Sequence, residues 1–353
     1  MSATETIIYA IYALAVVLPL LPGLLELRNA SDDDPLKIDA SYARDPRFLG
    51  KSMRNKVIPI MKETAGEDRV PFLNRKHEFA HVVDGLESGD RSTIDDIVLS
   101  RGPFSVGDRS VLLDVYAQGP VSVGAASRLR TLAADRGAVF GPGTQVVRWI
   151  DVEGDCAIGG GSELGQSVTA SGRLILGPDV RFNRLFGRPI AVESSQRAEI
   201  RALSTGPILS THASDRRRVK AMSVAQGETI EYDIVATGDV EVGAEATVTG
   251  SIKAGGTVTI KERAAVLGNV VARGSVIIER DGTIYGHIFG NRDVTLHAGA
   301  LMGDRHAPKT LHASGIVRLI EGATIFGWLI AERGGRSLAE HSELDHSPKE
   351  LRS

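Results

Sequence analysis

The sequence predicts an all-β solenoid, a β-helix with coils of about 18 residues, and three observations support that prediction. An eighteen-residue phrase occurs five times between Asp233 and Ile330. Within each phrase, apolar or small residues come in pairs two apart, and the pairs recur every six residues. A separation of two puts both side chains on one face of a strand, whereas a separation of six scatters residues around a helix. A short fixed period of this kind is typical of a solenoid whose units bury their apolar faces by stacking.

The residues of each phrase can be numbered as slots 1 to 18. Slots 2, 8, 10 and 16 hold Val, Ile, Leu or Met in all five copies, slots 4 and 14 hold Ala or Gly, and slot 18 is Gly in four. The phrases begin at Asp233, Ser251, Asn269, His287 and Thr310. We predict that these even slots form the core, and that Gly at slot 18 meets an unusual backbone angle in a turn. The spacing leaves the handedness of the coil open.

Composition supports the same fold class. The chain has 353 residues, of which 42% are hydrophobic and only 5% aromatic, with 39 glycines, as suits narrow coils joined by frequent turns. The net charge of −3 gives no global basic field for nucleic acid. Cys156 is the single cysteine, which excludes an internal disulfide framework. The sequence has no phosphate-binding G-x-x-x-x-G-K-[ST] motif, and we expect no cofactor.

An uncharged segment from Ile7 to Leu25 predicts a transmembrane anchor within residues 1–28. As a helix it would be about 28 Å long, close to the thickness of a bilayer core. A signal peptide is the alternative, but no basic residue precedes the segment. Seven Lys and Arg residues follow it between residues 28 and 56, so the positive-inside rule predicts a bacterial inner-membrane protein with the bulk of its chain in the cytoplasm.

Residues 29–96 lack the phrase and predict a juxtamembrane segment with one basic amphipathic helix. Asp45 and Pro46 are suited to the N-cap and first turn of that helix, in which Phe48, Leu49, Met53, Val57 and Ile58 alternate with basic residues. Such a helix either lies on the anionic inner leaflet or packs against the solenoid as a cap.

The remaining chain divides into four predicted parts. Degenerate copies of the phrase indicate a first β-helix block at residues 97–193, and the regular copies a second block at residues 233–332, with ten or eleven coils in all. Residues 194–232 interrupt the register as an insertion, and residues 333–353 form a polar tail that we expect to be disordered. The insertion contains a basic run, either a solvated loop or a contact for phosphates, acidic protein or lipid headgroups: Arg216, Arg217, Arg218 and Lys220.

Two patterns raise an enzymatic alternative. His77, Glu78 and His81 fit H-E-x-x-H, in which two ligands one helical turn apart hold zinc and the glutamate acts as base, but no third ligand is recognisable. Left-handed β-helix acyltransferases use histidines between coils; here His287, His297 and His312 occupy outward slots in different columns.

One surface feature predicts an interface. Outward slots should be polar, yet slots 3 and 17 hold many apolar residues, and these flank one corner of the coil. A contiguous apolar surface is typical of an interface, either with a neighbouring subunit or with the insertion or basic helix of the same chain. The last coil, from Trp328, looks incomplete, and if nothing caps it we expect an unpaired end for stacking. The residues predicted for self-association are Leu267, Tyr285, Phe289, Phe326, Trp328 and Ile330.

The second block resembles the bactofilins, a bacterial family of polymer-forming cytoskeletal proteins. The family pattern V-x-G-x-I-x-A-x-G-x-V-x-I is matched from Val248 to Ile260 and, with Val at the third position, from Val266 to Ile278. The resemblance implies a right-handed β-helix that polymerises without nucleotide at the cytoplasmic face of the membrane. It also implies a non-enzymatic scaffold whose partners are copies of itself, other bactofilins and envelope or cell-wall proteins. The transmembrane span, the extra block and the insertion depart from the common small member, so an adaptor that joins or nucleates other filaments is the alternative.

Overall fold

The computed structural model describes residues 12, 14–20, 45–72, 78–193 and 216–340. The chain divides into two compact units, Met1–Asp45 and Pro46–Ser353. In the first unit, Leu18–Leu20 form a 3₁₀ turn, and most of the predicted anchor lies outside the described residues. No helix in the described part of the chain has the length and apolarity needed to cross a membrane.

The second unit contains one α-helix, α1 (Phe48–Glu63), among its described residues, and 33 strands. The strands of the first block are β1 (Asp68–Pro71), β2 (Phe79–Val83), β3 (Leu86–Ser88), β4 (Thr93–Ile94), β5 (Ile97–Ser100), β6 (Phe104–Val106), β7 (Val111–Ala117), β8 (Val121–Val123), β9 (Arg128–Ala134), β10 (Ala138–Phe140), β11 (Gln145–Val152), β12 (Cys156–Ile158), β13 (Ser167–Ala170), β14 (Leu174–Leu176) and β15 (Arg181–Val192). Those of the second block are β16 (Arg216–Val219), β17 (Met222–Val224), β18 (Thr229–Ile230), β19 (Asp233–Ala236), β20 (Val240–Val242), β21 (Thr247–Val248), β22 (Ile252–Ala254), β23 (Val258–Ile260), β24 (Ala265–Val266), β25 (Val270–Ala272), β26 (Val276–Ile278), β27 (Thr283–Ile284), β28 (Ile288–Gly290), β29 (Val294–Leu296), β30 (Leu301–Met302), β31 (Lys309–Ala313), β32 (Val317–Ile320) and β33 (Thr324–Leu338).

These strands form an all-β solenoid, as the repeat predicts. It has about 13 turns rather than the ten or eleven expected from the sequence. Each coil contributes one strand to each of three parallel faces, which we call A (slots 1–4), B (slots 8–10) and C (slots 15–16). On face B, for example, Val258 pairs with Val240 of the preceding coil and with Val276 of the next, eighteen residues away in both directions. All three valines are at most 1% exposed, because the even slots point into the coil.

The unusual backbone angle predicted for Gly at slot 18 is found at Gly327 (φ 134) but not at the other three glycines of this slot. Gly250, Gly268 and Gly286 do not have positive φ; a Cβ on Gly268 would lie 2.5 Å from the carbonyl oxygen of Gly250 in the preceding coil. Slot 18 therefore needs glycine because adjacent coils approach closely there. The left-handed residue of each coil lies instead at slot 13, where non-glycine residues such as Arg263 (φ 54) and Asp281 (φ 55) adopt it.

Both blocks extend beyond their predicted boundaries. The first begins at β2 inside residues 29–96, since β2, β3 and β4 pair in parallel with β5, β6 and β7. The second begins at Arg216 inside the predicted insertion, where β16 pairs with β19. At the other end, Gly335 to Leu338 pair with β32, so the beginning of the predicted disordered tail is a strand. Residues 341–353 lie outside the described residues.

The two blocks meet last coil to last coil. β15 ends the first block and pairs antiparallel with β33, which ends the second; Leu185 faces Leu329 at the centre of this contact, and Phe186 pairs with Trp328. The backbone groups of both last coils are thereby paired, and face A continues from one block into the other. The last coil at Trp328 is thus capped by β15, so the unpaired end expected of an uncapped coil is not formed.

Candidate functional site

The basic helix α1 packs against the solenoid, as the second of the two placements considered from the sequence has it, but on the outer side of face A in the first block and not as a cap. Its buried residues, Gly50, Arg54, Val57 and Met61, recur at spacings of three and four and so form one side of the helix. Arg47 precedes the helix and makes no side-chain cap to it. Exposed lysines at positions 51, 56 and 62 point to the other side.

A separate apolar cluster outside the solenoid core holds this helix. Val57 and Met61 are buried in it, together with outward-facing residues of the strands beneath the helix. The strand residues of the cluster are Ala80, Val82, Ile97, Leu99, Tyr116 and Ala133. Burial of Val57 and Met61 contributes about 3–6 kcal/mol before entropy losses, at ~1.5–3 kcal/mol per side chain. α1 is therefore an integral part of the first block.

A buried ion cluster fixes the N-terminal half of α1. Asp151, whose side chain is 2% exposed, accepts hydrogen bonds from Arg47 (Nε, 2.8 Å) and also binds Arg54. Arg54 also donates to Asp135 (2.7 Å), and Arg47 forms a second ion pair with Glu153 (2.8 Å). No described buried side-chain polar atom lacks a hydrogen-bond partner. A network satisfied in this way fixes one position of the helix, since any shift would leave buried charges unpaired.

The environment of the cluster shifts the pKa values of its members. The Arg47 guanidinium lowers the pKa of the Glu153 carboxyl, mainly through its hydrogen bond. Burial, followed by the hydrogen bond from its hydroxyl to Asp135 (2.6 Å), raises the pKa of Tyr116. At the other end of α1, Arg101 donates to the carbonyl oxygens of Met61 and Thr64 and so closes the helix C-terminus.

In the second block, the structure brings the predicted basic run and the predicted apolar stripe onto one surface. The slot-3 side chains of face A stack in register on successive strands, and they form the slot-3 column: Arg218, Val235, Lys253, Val271, Phe289, His312 and Ile330. From the sequence these were two unrelated features. The outer side of face A in this block is thus a single mixed apolar and basic surface, and we take it as the candidate functional site.

Exposure is concentrated at the middle of this column. Val271 (37% exposed) and Phe289 (43%) are the only exposed large hydrophobic side chains among residues 216–340. The Phe289 ring lies between two histidine rings, with centroids 6.4 Å from His287 and 6.1 Å from His312. Lys253 and Arg273 are exposed beside them and have no ion-pair partner among the described residues.

The other residues predicted for self-association have different surroundings. Leu267 and Tyr285 are half-buried at slot 17, directly after the face C strands. Phe326 is only 6% exposed, so it is not available as a contact. Trp328 and Ile330 lie at the junction, where they pair with Phe186 and Arg184 of the first block. The predicted stripe is therefore much shorter than its sequence suggests.

The basic run comprises three residues of β16, the first described strand of the second block, and Lys220 just after it. Arg216, Arg217, Arg218 and Lys220 are all exposed. Arg217 pairs with Ile234 and so occupies an inward slot, yet it turns to Tyr232, to whose hydroxyl it donates a hydrogen bond of 3.0 Å. This hydrogen bond raises the pKa of Arg217. A charge at a core slot of an end strand discourages another strand from pairing there.

The histidine patterns do not form catalytic arrangements in the described residues. His81 lies on β2 and Glu78 just precedes it, so the helical turn required by H-E-x-x-H is not formed; His77 lies outside the described residues. No group of three His, Cys, Asp or Glu side chains suited to a metal occurs in the described part of the chain. His287 and His312 flank Phe289, and His297 lies at slot 11 on another side of the coil.

Comparisons with protein-family models, with curated proteins and with solved structures found no match to this chain.

Proposed function

We propose that this protein is a bactofilin-like structural scaffold, a stiff rod that works without nucleotide and holds partner proteins on its outer faces. The observation that supports this most is the β15–β33 contact, because it joins two stacks of coils into one continuous hydrogen-bonded sheet. With seven strands stacked on face B of each block, the rod is roughly 65 Å long at about 4.8 Å per coil.

The packing of α1 on the first block also supports the scaffold role. Face A of the first block holds α1 through an apolar cluster and paired charges, so an outer face of this solenoid is chemically able to hold a helix. In this proposal self-association uses the sides of the rod, since the last coil is occupied by β15. The proposal includes an N-terminal membrane tether with the rod in the cytoplasm, supported by the uncharged sequence of residues 7–25 and the basic residues that follow.

Electron microscopy of the full-length protein tests this proposal. We expect rods of about 65 Å, single or associated side by side, with the same appearance in the presence and absence of ATP or GTP. Assembly that requires a nucleotide, or particles without an elongated shape, would contradict the proposal.

A further inference from the structure

The junction between the blocks has a local two-fold relation. Leu185 faces Leu329 at its centre, both at slot 2 of face A. On one side Ile190 of face B pairs with Ile325 of face C, and on the other side Phe182 of face C pairs with Gly335 of face B. On both sides of the centre, face B of one block therefore pairs with face C of the other. Each coil of the first block accordingly has a counterpart in the second block at an equal distance from the junction.

This relation identifies the counterpart of the α1 binding site. Counting back from the junction, β11 and β9 of the first block correspond to β28 and β25 of the second. The slot-3 residues of β11 and β9 are Asp151 and Ala133, which lie beneath α1; their counterparts are Phe289 and Val271. The only exposed large hydrophobic residues of the second block thus lie where the first block is covered by a helix.

One charge is reversed between the two places. In the first block Asp135, at slot 5 next to Ala133, binds Arg54 of the helix. Its counterpart at slot 5 next to Val271 is Arg273, an exposed cation with no ion-pair partner among the described residues. Lys253, one coil further from the junction in the slot-3 column, adds a second positive charge. A helix that fits this surface should therefore carry a carboxylate near Arg273, where α1 has Arg54, and another near Lys253.

The shape of the rod favours a helix over a lipid surface. α1 stands about 10 Å above face A of the first block, the diameter of a helix with its side chains. A flat bilayer resting on α1 would be held away from Phe289, whereas a second helix would fill the step. A second copy of α1 does not fit, because its apolar side is already buried and its exposed side carries lysines.

We propose that the Val271–Phe289 surface of face A binds an amphipathic helix bearing carboxylates, supplied by a partner protein, in the position that corresponds to α1 on the first block. This inference rests on the proposed scaffold function and names the class of partner that the scaffold holds. The apolar residues of the partner helix would cover Val271 and Phe289, and its carboxylates would pair with Lys253 and Arg273.

Binding of synthetic helices to the full-length protein tests the proposal. The probe is a labelled peptide with the sequence of residues 46–64 in which Arg47, Lys51, Arg54, Lys56 and Lys62 are replaced by Glu, and the control peptide has the native sequence. By fluorescence anisotropy we expect the acidic peptide to bind and the native one to bind at least tenfold more weakly. Phe289→Asp and Arg273→Glu should each weaken the acidic peptide at least tenfold, while Thr259→Glu, an outward change on face B, should have no effect.

Three outcomes would overturn the inference. They are equal binding of both peptides, acidic-peptide binding that Phe289→Asp leaves unchanged, and Phe289-dependent binding of phosphatidylglycerol vesicles without binding of the acidic peptide. Phe289 is 43% exposed, so its replacement should leave the fold intact, which circular dichroism of each variant verifies. If the peptide fails while microscopy still shows nucleotide-independent rods, only this inference fails; the loss of the rods would remove the scaffold function itself.

Discussion

Replacement of Asp151 by alanine is the sharpest test of how α1 is held. The Asp151 side chain is 2% exposed and binds Arg47, Arg54 and the Thr169 hydroxyl, which donates at 2.5 Å. Its removal leaves two buried guanidinium groups with incomplete pairing. We therefore expect α1 to open far more often while the coils beneath it stay folded.

The free-energy cost of Asp151→Ala depends on the hydrogen-bond partners that Arg47 and Arg54 keep. Breaking a buried ion pair by removing one partner costs ~3–5 kcal/mol. Arg47 retains Glu153, and Arg54 retains Asp135 and the Ala134 carbonyl, so the lower end applies. About 3 kcal/mol corresponds to roughly a hundredfold increase in the equilibrium for opening of α1.

Hydrogen exchange of the α1 amides measures this opening. The matched control is Arg173→Met, which breaks an ion pair whose side chains are 52% and 49% exposed and should change stability by less than about 1 kcal/mol. Replacement of all three charges, as Asp151→Leu with Arg47→Met and Arg54→Met, should restore protection, since apolar groups of similar volume substitute well for buried ion pairs. Protection of α1 in Asp151→Ala equal to that in Arg173→Met would refute the reasoning.

Three further predictions concern the second block. The Nδ1 of His287 accepts the Thr310 N–H (3.0 Å), and burial followed by repulsion from Lys309 lowers the pKa of His287 from 6.5. As the pH falls, the imidazole is therefore protonated in the unfolded chain before it is protonated in the folded one. The stability that neutral His287 contributes above pH 6.5 is lost as the pH falls through its lower folded pKa. His287→Asn keeps a hydrogen-bond acceptor, so in denaturant titrations at a series of pH values it should reduce the dependence of unfolding free energy on pH below 6.5. Gly268→Ala should cost ~1–3 kcal/mol in the same titrations because adjacent coils must separate, and an unchanged midpoint would contradict the close-approach explanation. Val276→Asp places an unpaired charge at a fully buried position and should cost more than ~4 kcal/mol, seen as loss of the cooperative thermal transition; a soluble variant with native melting would contradict the assignment of slot 8 to the core.

The regular coils could be predicted from sequence because each slot repeats its environment. Ile260 and Ile278 hold the same slot and pair directly, so the period alone identifies the core. The first block was harder because its coils vary in length. Val98 pairs with Val115, seventeen residues on, whereas Ile150 pairs with Val168, eighteen residues on. A fixed period of eighteen therefore loses the register, and the coil that begins at β2 was missed.

Two features of the fold around the candidate site have little or no local signal in the sequence. The antiparallel contact of Phe186 with Trp328 joins residues far apart in sequence, and either strand alone reads as an ordinary coil. Basic residues of an amphipathic helix are expected to face solvent. The spacing of seven between Arg47 and Arg54 nevertheless places both on the side of the helix that contains buried Gly50. Only the acidic partner Asp151, at an outward slot of a distant coil, shows that this side faces inward.

Disulfide cross-linking across the junction tests the central claim, that the blocks meet last coil to last coil, most directly. In a Cys156→Ser background, Phe186→Cys with Trp328→Cys joins paired residues of antiparallel strands, whose Cα atoms lie about 4.5–5.5 Å apart and within range of a disulfide. If the coils instead followed chain order across the junction, the slot-3 residue Arg218 would stack on Phe186, and Phe186→Cys with Arg218→Cys would cross-link. We predict rapid cross-linking of the first pair and none of the second, and the reverse result would contradict the account.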